Sequence, residues 1–258
     1  YHTRLENCAI TNNTIRYASN LGANAPRYAG IYATGSTELI LTECLVQNNI
    51  AHSTGRSGAF SGGIGSFGRL DLHNCSILDN HATRDGSSGV TQGGGIYFMG
   101  SRLEMKNTLV AGNQITQATD GQGGGIYAGG AADLINVTVV ANTLEGVRVG
   151  ATLRVLNSIL WGNENDLVGG LPEDLDVSYS NIEHGEHVDG NQVHLGTSNI
   201  HADPLFVNPT AKNYRLRPKS PASGTGLIQA WMKKATDLDG KPRISMNQVD
   251  MGCYQIPP

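Results

Sequence analysis

"LHNCSILDN", Leu72 to Asn80, is one of six versions of a nine-residue phrase in this chain. The others are "LENCAITNN" from Leu5, "LTECLVQNN" from Leu41, "MKNTLVAGN" from Met105, "LINVTVVAN" from Leu134 and "VLNSILWGN" from Val155. Each closes on an asparagine, at Asn13, Asn49, Asn80, Asn113, Asn142 and Asn163, with gaps of 36, 31, 33, 29 and 21 residues. A glycine-rich phrase precedes the second to the fifth: "AGIYATGS", "GGIGSFG", "GGGIYFMG" and "GGGIYAGG". "EGVRVGAT" takes that place before the sixth. Self-similarity at this period marks a solenoid, and short runs of alternating apolar residues mark its elements as strands.

The repeat reads as three strands with assignable inward positions. In the middle strand these are Leu5, Leu41, Leu72, Met105, Leu134 and Val155; in the third strand, Ile10, Val46, Ile77, Val110, Val139 and Leu160. The glycine-rich strand contributes Ile31, Ile64, Ile96, Ile126 and Val147. Like residues would stack at about 4.8 Å, the spacing of paired strands. Cys8, Cys44 and Cys75 fall in one inward column, so reduced thiols in a core ladder are expected rather than a zinc site. The closing asparagines tolerate left-handed turns and bond backbone, so they are expected to form a ladder, and the glycines to serve turns. The expected fold class is all-β: a right-handed, single-stranded parallel β-helix of about seven coils.

Composition changes near the end. Eight of nine prolines lie after residue 171 and five of six lysines after residue 211. Residues 1–182 are therefore assigned to coils, the first incomplete, and 183–258 to an irregular C-terminal cap packed on the solenoid. Such a cap covers exposed core and unpaired strand edges. Leu205, Phe206, Tyr214, Leu216 and Trp231 are its expected covering residues. Separately, the outward apolar strip of Leu45, Leu78, Leu109, Val140, Ile159 and Trp161 is expected to be covered by the C-terminal segment or a partner.

Several classes are disfavoured. A net charge of −4 with 16% charged residues offers no basic field for nucleic acid, and no apolar run is long enough to insert in a membrane. Tyr1 to Ile10 lacks a signal-peptide core, and the first coil opens in mid-repeat, so residues upstream are expected. "GIGSFG", Gly63 to Gly68, matches a dinucleotide fingerprint but precedes another strand, not a helix, so no nucleotide site is assigned. "DGQGGG" at Asp120 and "DLDG" at Asp237 are fragments of calcium-loop type. Too few aspartates recur to supply six oxygens, so turns are expected and no cofactor, with calcium the weaker alternative.

"NSILWGN" (Asn157 to Asn163), "VSYSNIE" (Val177 to Glu183), "ADPLFVNP", "NYRLRPKSPA", "DLDGKPR" and "VDMGCYQ" together span the later coils and the cap. In these phrases the chain resembles the bacterial right-handed parallel β-helix proteins of the choice-of-anchor Q type, in the pectate-lyase-like superfamily. The resemblance implies a secreted or cell-surface protein facing polysaccharide. It does not imply one reaction, because the fold hosts many functions.

Insertions fall between the third and glycine-rich strands, at 50–61, 81–92 and 114–122, and in solenoids such insertions mark one face. They carry His52, Arg56, His81, Arg84, Asp85 and Asp120. Beside them the glycine-rich strand points Tyr32, Tyr97, Tyr127 and Arg148 outward, with Gly65 as a gap. Tyrosines in a row suit stacking on sugar rings, although the same tyrosines would also pack under the insertions. Substrate contact is assigned to Tyr32, Tyr97, Tyr127, Arg148, His52, Arg56 and Asp120. His81, Arg84, Asp85 and Arg148 are the weak candidates for catalysis, and no metal residue is assigned. Outward charges on the middle strand (Asp71, His73, Glu104, Lys106, Asp133, Arg154) read as an acid–base pair or, more plainly, as a solvated face. Two readings of different class remain. One is a groove that binds a polysaccharide or glycan or, as a lyase or glycoside hydrolase, processes it, with recognition the favoured form. The other is a structural or adhesin-like spacer.

Overall fold

The structure is a computed structural model and describes residues 1–17, 28–54, 58–85, 90–116, 120–169, 175–184, 187–188, 191–192, 196 and 198–258. Arg56 lies outside these residues. The chain is a parallel β-helix. Its middle sheet stacks seven strands, from His2–Glu6 through Arg69–His73 and Arg102–Lys106 to Leu175–Ser178. The third sheet stacks seven more, from Ala9–Thr11 to Asn181–Ile182, and the glycine-rich sheet six, from Ile31–Ala33 to Asn165–Val168. Every neighbouring pair in these sheets is parallel, and the inward columns align residue for residue. Leu72 faces Leu41 and Met105, Ile77 faces Val46 and Val110, and Ile96 faces Ile64 and Ile126. These residues are fully buried in one continuous core.

The insertions are more regular than the three-strand reading expected. Each opens as a strand of a fourth parallel sheet: Thr14–Tyr17, Ile50–Ser53, His81–Arg84 and Gln114–Thr116. The chain then returns along short strands, Thr91–Gln92 pairing with Gly121–Gln122. Ala59, Ala82 and Ile115 form a small core between outgoing and returning layers. The insertions thus stand as a wing beside the glycine-rich sheet.

The closing asparagines form the expected ladder. Each carboxamide donates to the oxygen of the next: Asn13 to Asn49 at 2.8 Å, Asn49 to Asn80 at 2.9 Å, then Asn80 to Asn113, Asn113 to Asn142 and Asn142 to Asn163 at 3.0 Å. Each oxygen also accepts the backbone N–H of the preceding asparagine, as at Asn49 N to Asn80 Oδ1, 3.1 Å. The second amide hydrogen goes back one coil, from Asn80 to Val46 O and from Asn113 to Ile77 O, both 2.9 Å. The left-handed residue is not this asparagine but the one before it: Asn12, Asn48, Asp79, Gly112, Ala141 and Gly162, with φ between 54° and 66°.

The ladder also explains the glycine-rich phrase. A β-carbon on Gly95 would stand 2.8 Å from the Asn113 carboxamide carbon and 2.7 Å from Gly125 O, and Gly63, Gly125 and Gly146 meet Asn80, Asn142 and Asn163 similarly. These glycines make room for the ladder rather than for a turn. Inside the opposite corner, Cys44 and Cys75 are free thiols donating to strand carbonyls, with Thr108 and Ser158 continuing the column. Burial pushes the Cys75 thiol up to about 12, so it stays protonated.

A second asparagine column faces outward at the corner of the middle and third sheets. Asn7, Asn74, Asn107, Asn136 and Asn157 all adopt φ near 50°. The C-terminal segment docks on it: Asn107 donates to Thr236 O (2.7 Å), Asn136 to Asp250 O (3.2 Å) and Asn157 to Leu227 O (2.8 Å). From this rail the segment spreads over the third sheet. Leu109, Val140 and Ile159 are buried against Phe206, Tyr214, Leu216, Met251, Cys253 and Tyr254. Trp231 instead sits beside Lys106, at 5.6 Å. The "DLDG" phrase is a turn: Asp237 accepts from the backbone of Asp239, Lys241 and Gln255, and Asp239 pairs with Arg215.

Candidate functional site

The glycine-rich sheet carries the predicted tyrosines on its outward face. Its column runs Tyr32, Gly65, Tyr97, Tyr127, Arg148, in register from coil to coil. The gap at Gly65 is occupied. Tyr28 lays its ring there, and a β-carbon on Gly65 would come within 2.2 Å of it. Tyr28 stacks on Tyr32 (centroids 4.7 Å apart, 8° between planes) and lies 6.1 Å from Tyr97, which stacks on Tyr127 (5.4 Å, 18°). The result is an unbroken aromatic row along the solenoid axis. Phe67 closes one side at 6.0 Å from Tyr28, Tyr32 and Tyr97, and Phe60 packs on Tyr97 from the wing at 4.9 Å. Further along the wing, Gln92 donates to Gln122 at 2.6 Å, adding an amide row beside the aromatic one.

Exposure grades along the row. Tyr32 is 57% exposed, Tyr28 and Tyr127 are half-buried, and Tyr97 is 8% exposed. The floor therefore combines both readings of the tyrosines. Tyr97 packs under its neighbours, while Tyr32 and Tyr127 offer ring surface to solvent.

The predicted polar candidates do not converge. Arg148 holds Glu145 through Nε (2.9 and 3.0 Å) and Nη2 (2.8 Å), and Glu145 Oε2 also accepts Gly123 N–H at 2.6 Å. His52 Nε2 meets Asp85 Oδ1 at 2.9 Å, and His81 Nε2 meets Thr116 Oγ1 at 2.7 Å. Burial, then the neighbouring His52, pushes His81 below the ordinary histidine range. Asp120 is exposed at the start of its return segment. Arg84 corrects its assignment as a catalytic candidate: it is fully buried, in register with Ser53, and its Nε and Nη1 have no hydrogen-bond partner. No substrate atom reaches it in this arrangement.

The middle-sheet charges are paired across the face. Arg69 meets Asp71 at 2.9 Å, Arg102 meets Asp133 at 2.6 Å, and Lys106 meets Glu104 at 2.5 Å. Burial works to raise the Glu104 carboxyl, but the Lys106 ammonium holds it below the ordinary range. This is the solvated ion-pair face, and no free carboxylate pair stands on it among the described residues.

One acidic cluster escaped the sequence reading. Asp166, Glu183 and His184 bring ligand atoms within 4.8 Å of one another. Asp166 ends the asparagine ladder, accepting from Asn163 Nδ2 at 2.9 Å and from His184 N–H at 3.1 Å, while Glu183 accepts from Gly162 N–H at 2.6 Å. Burial raises the Asp166 carboxyl above its ordinary value. Among the described residues, no helix is long and apolar enough to cross a membrane. No family model, curated protein or solved structure matches the chain.

Proposed function

We propose that this chain is a secreted or cell-surface solenoid, of the choice-of-anchor Q type, that recognises polysaccharide on its glycine-rich face. The carrying observation is the aromatic row Tyr32–Tyr28–Tyr97–Tyr127, whose Tyr32 and Tyr127 rings reach solvent, flanked by the Gln92–Gln122 amides. Tyrosine rings offer flat apolar surface with a polar tip, and amides match sugar hydroxyls as donors and acceptors. The repeat rise of a parallel stack, about 4.8 Å, is close to the length of one pyranose, so a linear glycan laid along the axis keeps step with the coils that carry Tyr32 and Tyr127.

The reading is of recognition rather than chemistry. A lyase needs a Lys or Arg side chain placed at the sugar to take its proton, and of the arginines assigned to catalysis Arg148 is held by Glu145 and Arg84 is sealed. A glycan array run beside an ultraviolet assay for unsaturated products tests the proposal. Binding without product release is expected. Product release would establish a lyase, and silence in both assays would leave the spacer reading.

A further inference from the structure

Resting on the carbohydrate reading above, we infer that the face takes uncharged, hydroxyl-rich glycan and discriminates against uronates, with Glu145 setting that preference. Among the described residues of the glycine-rich strands and their return segments, Arg148 is the one cation. Its guanidinium is held by the Glu145 carboxylate at 2.8–3.0 Å. That carboxylate is only 7% exposed and is itself fixed by Gly123 N–H. The pair is therefore preassembled, with its positive charge satisfied before a ligand arrives.

A uronate carboxylate entering here has two options. It displaces Glu145 and leaves a buried carboxylate without its partner, or it lies uncompensated beside the pair. The exposed carboxylate of Asp120 starts the return strand carrying Gln122 and adds like charge at that end. The tyrosine rings and the Gln92–Gln122 amides beside them bind hydroxyls and the apolar faces of sugars without regard to charge. A flat, equatorially substituted chain matches a straight row of platforms.

The test compares cello- and xylo-oligosaccharides with oligogalacturonides of equal length by isothermal titration. The intact chain is expected to bind a neutral series at least about tenfold more tightly, a ratio worth 1.4 kcal/mol. Neutral affinity should stay constant from low salt to roughly 1 M salt, where the screening length falls to about 3 Å. Glu145→Gln removes the carboxylate that holds Arg148 while keeping an acceptor for Gly123, and should shift the neutral-to-uronate ratio at least several-fold toward uronates. Uronates bound more tightly than neutral chains by the intact protein, with affinity falling as salt rises, would overturn this inference and leave carbohydrate recognition standing. Absence of binding to every glycan would overturn both. Should Glu145→Gln fail to fold, the salt series on the intact protein still decides.

Discussion

Two outward faces of this solenoid are apolar, and they meet different fates. On the third sheet, Leu109, Val140 and Ile159 are between 1% and 4% exposed, because residues from Phe206 onward lie across them. On the glycine-rich sheet, Tyr32 and Tyr127 keep ring surface in solvent. Aliphatic side chains have nothing to offer water and must be covered, whereas a tyrosine ring carries a hydroxyl that stays solvated. An outward apolar column is thus no evidence of a binding site by itself. What distinguishes the third-sheet face, among the described residues, is a cover supplied by the chain itself and fixed in place by a rail of asparagines.

The largest effect should come from removing the cover. A chain ending before Pro204 loses the partners of Leu109, Val140 and Ile159 and the acceptors of Asn107, Asn136 and Asn157. It should aggregate or bind a hydrophobic dye strongly, read by light scattering against the intact chain. A truncated chain that stays monomeric and dye-silent would mean the third-sheet strip needs no cover, and the contrast between the faces would collapse.

Next in size is the device both faces share. Asn80 sits mid-ladder, fully buried, bonded to Asn49, Asn113 and Val46. Asn80→Leu leaves several buried donors and acceptors unpaired at about 1–3 kcal/mol each, so a total loss of roughly 4 kcal/mol is expected in denaturant unfolding. The loss should strike both faces together, since the ladder joins the third strand to the glycine-rich strand. A loss below about 1 kcal/mol would show that the ladder is ornamental to stability.

How much of this was legible follows from what repeats. The core columns, the thiol column and the asparagine ladder recur at one position per coil, so alignment of the phrases exposes them. The role of Gly95 was hidden because its partner, Asn113, lies eighteen residues on and belongs to a different phrase. The second asparagine column was visible as the third letter of five of the six phrases, but its docking role depends on Thr236, Leu227 and Asp250, which repeat nothing. Tyr28 was missed for the same reason. It comes from outside the aligned phrases and fills a gap that the column alone left empty.

The smallest effect is the one that bears on function. Tyr127 is half-buried and stacks on Tyr97 from one side, so Tyr127→Ala removes a platform while leaving the floor in place. Binding should weaken by on the order of 1 kcal/mol, a several-fold loss of affinity, with little change in melting temperature. Tyr97 is different, at 8% exposure with Tyr28, Phe60, Phe67 and Tyr127 around it. Tyr97→Ala opens a cavity and should cost about 3 kcal/mol of stability in addition to affinity. Titration and thermal unfolding of both variants separate the two roles. If Tyr127→Ala instead loses stability as Tyr97→Ala does, and binds glycan like the parent, the open face is a second covered core, and the solenoid is a spacer.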